Sequence, residues 1–499
     1  MALRRSSSIA ARSMSIAKSR ARSCERAPIH GRVRSWMDGG VTDRVFLIIM
    51  NLYGLLAAHA SKPIKVGIIG AGKFGSMFLA QARRTPGLHI VGIADKDPGR
   101  AKSALSLIGW PNEQFSARTL VEAARSASRS TCVTDDATSL ITLPELDVLI
   151  DSTGSPPAGV RHAKMAIDNG KHLVMVNVET DALVGPLLAQ RAQEAGLVYS
   201  LAYGDQPALI AEMVDWARAS GLEVVAAGKG TKYLPEYHDS TPDTIWQYYG
   251  ITPEDAVKGR LNPQMFNSFL DGTKSAIEMA ATANATGLLP PSDGLLFPPS
   301  GVDDLASVLR PVSDGGLLER RGSVEVVSSL HRDGTPVDRD LRWGVYATFA
   351  AGDEYVRRCF AEYGLVTDES GWYASQYKPF HLIGLELGIS VASAALRGEP
   401  TGCPTGWRAD VCAVAKRDLA AGEILDGEGG FTVWGKCIPA STSVAHGALP
   451  LGLAHGCKLR SSVGKGQTLR WSDVDFEGAD LEETLELRRE MEVACPALH

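Results

Sequence analysis

Between Pro263 and Ala285 four polar side chains recur at helical spacing in the run PQMFNSFLDGTKSAIEMAATANA. Asn267, Asp271, Lys274 and Glu278 stand at i, i+4, i+7 and i+11, which places them on one face of a predicted helix. Most other positions are apolar or small, among them Met265, Phe266, Phe269, Leu270, Ala276, Ile277 and Met279. A surface helix carries a wide polar face, whereas this one has a narrow stripe with two acids, an amide and a lysine. Buried charges persist when they are paired or when they line a site, so the stripe reads as a catalytic wall. A Lys–Glu pair on a solvated face is the competing explanation.

Cations that could hold an anionic substrate lie on either side of this wall. Gly228-Lys229-Gly230-Thr231-Lys232-Tyr233 follows the predicted strand GLEVVAAG, and glycine amides with two ammonium groups can bind a phosphate. Arg342, beside Trp343 in DLRWGVYATF, and Lys378, in YKPFH, are further anion holders. His381 could move protons near neutrality, although a single histidine is more often structural. The YKPFH segment is expected to open a helix through Leu396, and Asp303 and Asp304 read as a helix cap before a metal site.

The chemistry these residues would serve is indicated upstream. IKVGII runs directly into Gly70-Ala71-Gly72-Lys73-Phe74-Gly75, the spacing of a dinucleotide-binding turn. Gly70 makes the turn, Gly72 lets the backbone approach a pyrophosphate, and Gly75 lets the helix pack on the strand. Helix amides from Phe74 onward then face the phosphates. HIVGIAD ends on Asp95, 20 residues after Gly75, where a ribose-binding carboxylate belongs. Asp95 favours NAD, while Lys96 and Arg100 could hold the 2′-phosphate of NADP, and the residues leave both open. Thr153, Gly154, Asn177 and Glu179 fall at later strand ends, where cofactor and substrate meet, or else serve turns and caps.

These groups need a frame. LDVLIDSTG, the helix Val160–Asn169, HLVMVNVE and LVYSLAYGDQP continue a strand–helix rhythm that requires a doubly wound parallel sheet. With 499 residues the chain needs two or three domains. Its formal net charge is −6, but residues 1–34 carry +8 and the remainder −14, which argues against nucleic-acid binding. The eight cysteines form no CxxC pair and read as free thiols. Residues 1–34 are Arg- and Ser-rich like an organellar transit peptide. The apolar run Val45–Ala60 is short beside the ~20 residues of a membrane span. A third reading, preferred here, starts translation at Met50, with Leu52, Leu55 and Leu56 on one face of a lead-in to the first strand. The expected location is cytoplasmic, or organellar if residues 1–49 are a transit peptide.

From about Val411 short strands and glycine turns replace helices, and AVAKRDLAAGEILDGEGG and LPLGLAHGCKLRSSVGKGQTLRWSDVDF repeat a theme. This texture resembles a SAF domain, a small β-clip module, over roughly 408–477. GKGTKYLP and FLDGTK resemble homoserine dehydrogenase in arrangement. GAGKFGSMFLAQ, VMVNVE, AYGDQPAL, AAGKGTKYLPEYHD, NPQMFNSFLDGTKSAIEMA, DLRWGVY and YKPFHLIGLEL, with the SAF texture, more closely resemble the second-type 1-deoxy-D-xylulose 5-phosphate reductoisomerase-like family, from about residue 62 to 476. The resulting expectation is an α/β chain. Residues 1–62 form an extension outside the fold, 63–203 a Rossmann-type NAD(P)-binding domain, 204–405 an α+β catalytic domain, 406–480 a small all-β SAF domain and 481–499 a tail.

The resemblance implies NADPH-dependent rearrangement and reduction of 1-deoxy-D-xylulose 5-phosphate to 2-C-methyl-D-erythritol 4-phosphate, in isoprenoid biosynthesis. It implies that Lys229 and Lys232, with Arg342 or Lys378, hold the phosphate. Asp271 and Lys274 would then shuttle protons while Asn267 and Glu278 orient them. Homoserine dehydrogenases place their acid and lysine at i,i+4, whereas Asp271 and Lys274 are i,i+3. A divalent cation belongs to first-type reductoisomerases, but no acidic cluster for one is visible. A small phosphorylated substrate and a homo-oligomer are expected, with no nucleic acid or membrane partner. The alternatives are a homoserine dehydrogenase-like enzyme of another hydroxy or sugar acid, and a non-turnover NAD(P)-binding sensor.

Overall fold

A computed structural model of the chain describes residues 51–259 and 261–498. The basic segment 1–34, Cys24 and the apolar residues 45–50 lie outside the described residues. The lead-in forms a short helix, Leu52–Ala58, capped by the Asn51 side chain and anchored by buried Leu56. Among the described residues no helix is long and apolar enough to cross a membrane.

The first domain is a six-stranded parallel sheet in the order β3-β2-β1-β4-β5-β6. Its strands are β1 Ile64–Ile69, β2 Leu88–Ala94, β3 Cys132–Thr134, β4 Val148–Asp151, β5 His172–Met175 and β6 Tyr199–Leu201. β2 and β4 are buried along their whole length, as covering both faces of a parallel sheet demands. The strand order reverses between β1 and β4, which opens a crevice at their carboxyl ends.

A mixed four-stranded sheet follows, in the order β10-β9-β7-β8, from β7 Glu223–Thr231, β8 Ser323–Ser328, β9 Val345–Ala350 and β10 Tyr373–Lys378. The helices Gln206–Ala219 and Thr273–Thr286 pack against it. Thr273–Thr286 also packs against the Val178–Glu194 helix of the first domain and against β11 Ala409–Ala415 and β13 Val433–Pro439 of the third. Only Lys274 and Ala285 of that helix keep solvent exposure. The helix is buried nearly all round, its polar side chains included, and it joins all three domains. The SAF-like region pairs β11 with β13, and β12 Ile424–Asp426 with β14 His455–Leu459 and β15 Val474–Asp475.

Three expectations need correction. The segment Pro263–Ala285 is not one helix: it forms Pro263–Leu270 and Thr273–Thr286, broken at Asp271-Gly272, where Gly272 adopts φ +88°. YKPFH does not open a helix, because Tyr377 and Lys378 end β10 and the helix starts only at Gly388. The third domain is not free of helix, since Ala440–His446 forms about two turns, ended by Gly447 at φ +58°. Residues Glu482–Ala494 form a further helix whose Thr484, Leu487, Arg488 and Met491 are buried at helical spacing. Asp304 stands at the start of the Leu305–Val308 helix without a side-chain cap bond, and Asp303 pairs with Arg339.

Candidate active site

The glycine loop is built to receive a pyrophosphate. Gly70 takes φ +96°, and a Cβ there would stand 2.7 Å from the Ser152 carbonyl oxygen. A Cβ on Gly75 would lie 2.3 Å from the Gly70 carbonyl oxygen, so the helix Lys73–Ala82 packs on its own loop only through glycine. A Cβ on Gly72 would meet nothing within 4 Å, which leaves open the space a phosphate would need. Lys73 is exposed and Phe74 half-buried at the helix start. Asp95 is buried and accepts hydrogen bonds from the Ala71 and Asp97 amides at 2.8 and 2.9 Å. The Arg100 guanidinium closes on the same carboxylate at 2.7 Å. Burial raises the Asp95 pKa, but the two amides and Arg100 outweigh it and hold it below the usual carboxylate range. Lys96 is exposed beside them.

The ends of β4 and β5 are internally tied. Asn177 Nδ2 donates to Thr153 Oγ1 and the Ser155 carbonyl at 3.1 and 2.9 Å, and its Oδ1 caps the next helix at Thr180. Asn177 therefore ties the loop after β4 to the start of the next helix. The Thr153 hydroxyl donates to Asp151 at 2.8 Å, and Gly154 takes φ +65° with open space around it.

Beyond these ends lies a cluster of charges drawn from all three domains. Lys274 is ion-paired to Glu179, and Lys229 to Glu278. Lys416 of the third domain lies 2.7 Å from Asp271, and Lys378 lies 2.9 Å from Glu386. Asp205 starts the Gln206–Ala219 helix and is buried facing Glu278, Lys274 and Lys229. Burial and the Glu278 charge push its pKa up to about 7. Lys274 loses charge stability to burial, yet Glu179, Glu428, Glu278 and Asp205 together hold it firmly protonated.

His381 Nδ1 donates to the Trp343 carbonyl at 2.7 Å, and its Nε2 accepts from Gln206 at 3.2 Å. Burial lowers its pKa, which fits the neutral ring these bonds require. The peptide after it crosses the glycine-loop helix, for a Cβ on Gly384 would stand 3.0 Å from the Phe74 carbonyl oxygen. The segment from His381 to Gly384 therefore joins the charge cluster to the helix of the dinucleotide loop.

The expected site residues divide. Lys274 and Glu278 line the cleft, while Asn267 and Asp271 are fully buried and turn toward the third domain. Asn267 donates to the carbonyls of Ser240 and Gly429, and Asp271 has no exposed surface, so neither is placed to touch a substrate. The four proposed phosphate holders also separate. Lys229 and Lys378 are ion-paired to Glu278 and Glu386. Lys232 and Arg342 form no ion pair among the described residues and share the Tyr249 ring, at 5.9 and 6.0 Å from its centroid. Burial and the Arg342 charge lower the Lys232 pKa. Sequence reasoning missed Asp205, Glu386, Lys416 and Glu428. Asp205 had a usable signal, an acid at a strand end just before the Gln-Pro of a helix start.

Three family models match successive parts of the chain. These are the oxidoreductase family with an NAD-binding Rossmann fold over 64–176, the catalytic domain of the oxidoreductase DRL over 204–387, and the SAF domain over 410–475. The chain thus carries an NAD-binding Rossmann domain and a catalytic domain of oxidoreductase families. Its catalytic domain is of the DRL type. A search of curated proteins finds no match. Among solved structures, a homoserine dehydrogenase from Thiobacillus denitrificans is 13% identical, with 82% of this chain and 98% of that one covered and a TM-score of 0.41. An NAD-binding oxidoreductase from Klebsiella pneumoniae is 17% identical over 64% of this chain and 67% of that one, with a TM-score of 0.30. A biliverdin reductase from Synechocystis, solved with biliverdin and NADP+, is 17% identical, and this chain spans 54% of its length while 36% of this chain is covered, with a TM-score of 0.24. The oxidoreductase's glycine cradle fits a nicotinamide dinucleotide. Gly70, Gly72, Lys73, Phe74 and Gly75 would hold the pyrophosphate, and Asp95 with Arg100 the adenosine ribose. When bound, the nicotinamide supplies or accepts a hydride. Among the described residues no group of three or more His, Cys, Asp or Glu is arranged to hold a metal ion.

Proposed function

We propose that this oxidoreductase uses NADPH to reduce a small phosphorylated carbonyl compound. The reading it supports best is reductoisomerisation of 1-deoxy-D-xylulose 5-phosphate to 2-C-methyl-D-erythritol 4-phosphate. The observation that carries it is the presence of two kinds of cation, one paired with carboxylates and one not. Lys274, saturated with carboxylates, is a proton donor for an oxygen that gains negative charge. Among the described residues Lys232 and Arg342 have no carboxylate partner, Lys232 donating to the Tyr248 carbonyl, and an ammonium beside a guanidinium fork suits an anion. His381 is bonded to the carbonyl of Trp343, the residue after Arg342, and is electrostatically close to Lys229 and Glu278. Preference for NADPH follows from Arg100, which neutralises Asp95 and leaves an exposed guanidinium beside the ribose position.

The test is NADPH oxidation followed by absorbance with 1-deoxy-D-xylulose 5-phosphate and, in parallel, with 1-deoxy-D-xylulose. Turnover that requires the phosphate is expected. Equal turnover of both sugars removes the role of Lys232 and Arg342. No turnover of either removes this substrate and points to a different hydroxy or sugar acid.

A further inference from the structure

The SAF module does not merely follow the catalytic domain; it enters the cleft. Its turn after β12 lies against the helix Pro263–Leu270. Gln264 Nε2 donates to the carbonyls of Asp426 and Glu428 at 3.1 and 2.9 Å, and Asn267 Nδ2 to that of Gly429 at 2.9 Å. Lys416 Nζ donates to the Gly430 carbonyl at 2.8 Å while it pairs with Asp271. Gly429 takes φ +66°, and a Cβ there would stand 2.1 Å from the Gln264 carbonyl oxygen, so the turn cannot sit this close with another residue. These bonds fix the residue between Gly427 and Gly429. Glu428 Oε1 accepts from the Ser268 hydroxyl at 2.5 Å.

Charged groups from three elements face this carboxyl: Glu179 from the Val178–Glu194 helix, Lys274 from the Thr273–Thr286 helix, and Asp271, itself paired with Lys416, from the break between helices. Lys274 is faced in turn by Glu179, Glu428, Glu278 and Asp205. Around the two ammonium groups of Lys274 and Lys229 there are thus four carboxyls, more than the cations can neutralise in a buried site. Burial and the Glu179 charge push the Glu428 pKa up to about 7, against the pull of Lys274 and Ser268.

We infer that Glu428, delivered by the SAF module, is a positioning residue that keeps a proton beside Lys274 and hands it to Lys274 during turnover. The inference rests on the carbonyl-reduction reading above. In that reaction the carbonyl carbon receives a hydride with its electron pair, and the carbonyl oxygen takes a proton from the Lys274 ammonium. The Glu428 carboxyl then gives its proton to the Lys274 amine, and the carboxylate regains one from water. One hydride and one proton are consumed for each alcohol formed.

The experiment uses the full chain and the variant Glu428→Gln, which keeps an acceptor for Ser268. Turnover of 1-deoxy-D-xylulose 5-phosphate with NADPH should fall by ~10²-fold, with KM little changed and the decline of kcat above neutral pH displaced. Infrared titration without substrate, read as wild type minus Glu428→Gln so that the bands of Asp181, Asp205 and Glu325 cancel, should show a protonated carboxyl band lost near neutrality. Unchanged kcat and pH profile in Glu428→Gln, or no such band in the difference, overturns the inference. A wild type that ignores this substrate overturns the functional reading alone, because the infrared result still reports whether Glu428 holds a proton. Should Glu428→Gln fail to fold, Ser268→Ala removes a bond that favours the carboxylate, so the band should titrate at higher pH. A band that stays in place in Ser268→Ala is equally fatal.

Discussion

Lys274 is the residue on which the largest claim rests, and its surroundings separate two roles. As a partner for Glu179 alone, it would stabilise the junction between domains. As the donor to a carbonyl oxygen, it would set the rate. Lys274→Met keeps the apolar stem and removes the charge. In the second role kcat falls by ~10²-fold or more while affinity for NADPH barely changes; near-normal turnover in a folded variant would remove Lys274 from the mechanism. A second residue gives a pH signature away from the site. Asp181 is fully buried, accepts from the Tyr199 hydroxyl at 2.8 Å, and leaves Oδ2 without a partner. Burial pushes its pKa up to about 7. The folded value therefore exceeds the unfolded one, so the stability it contributes is complete below about pH 4 and is lost as pH rises through about 7. Asp181→Asn does not titrate. Its stability relative to the wild type should rise across that window by ~1.4 kcal/mol for each unit of pH at the steepest. Parallel melting curves at all pH values would contradict the assignment. The stripe residue Lys274 was legible from spacing, and so was its neighbour Glu278. Its partners Glu179 and Asp205 were visible only as strand-end acids, and nothing local marks Lys416 or Glu428, because a side chain delivered by a distant turn leaves no periodicity.

Elements explain why some of the reading transferred and some did not. The parallel sheet was legible because a strand buried on both faces needs a continuous apolar run, and β1, β2 and β4 each have one. The broken helix was not, because the apolar pattern continues in phase across Asp271 and Gly272 although the backbone does not. A glycine inside a helical pattern is tolerated often enough that the sequence does not distinguish interruption from continuity. The break has a consequence: it turns Asn267 and Asp271 toward the SAF module and leaves Lys274 and Glu278 in the cleft. Glycines of the dinucleotide loop provide a contrast that tests the assignment of the element itself. Gly72→Val adds bulk where the fold has room, so the protein should keep its melting temperature and lose affinity for NADPH, read by fluorescence titration. Gly75→Val drives a side chain into the Gly70 carbonyl and should cost ~1–3 kcal/mol or more of stability whether or not cofactor is present. If Gly72→Val binds normally, the loop does not hold the pyrophosphate.

At the scale of the whole molecule, one buried arginine ties together regions far apart in the chain. Arg488 stands on the helix Glu482–Ala494, yet only 1% of its side chain is exposed. It pairs with Asp410 of β11 at 2.7 Å and donates to the Leu183 carbonyl of the Rossmann domain at 3.0 Å. Asp410 also accepts from Ser443 on the SAF helix at 2.6 Å, and Lys164 and Arg191 pair with Glu483 and Glu490 of the same last helix. The SAF module is thus held from outside by this helix and from inside by the Thr273–Thr286 helix, where Gly435 donates to Thr273 and Arg408 to Asn284. Removing one member of a buried pair strands the other, so Arg488→Ala should lose ~3–5 kcal/mol in denaturant unfolding. Replacing both members, Arg488→Met with Asp410→Leu, should recover much of that loss, since a well-packed apolar pair escapes the desolvation cost. If the SAF module positions Lys416 and Glu428, Arg488→Ala should also reduce turnover under conditions where it remains folded. NADPH affinity should hold, because the last helix packs on the helices Pro156–Asp168 and Val178–Glu194, whereas the glycine loop opens the separate helix Lys73–Ala82. Loss of stability with full turnover would make the clamp purely structural. Loss of cofactor affinity in step with turnover would place its effect in the Rossmann domain, not in the SAF module.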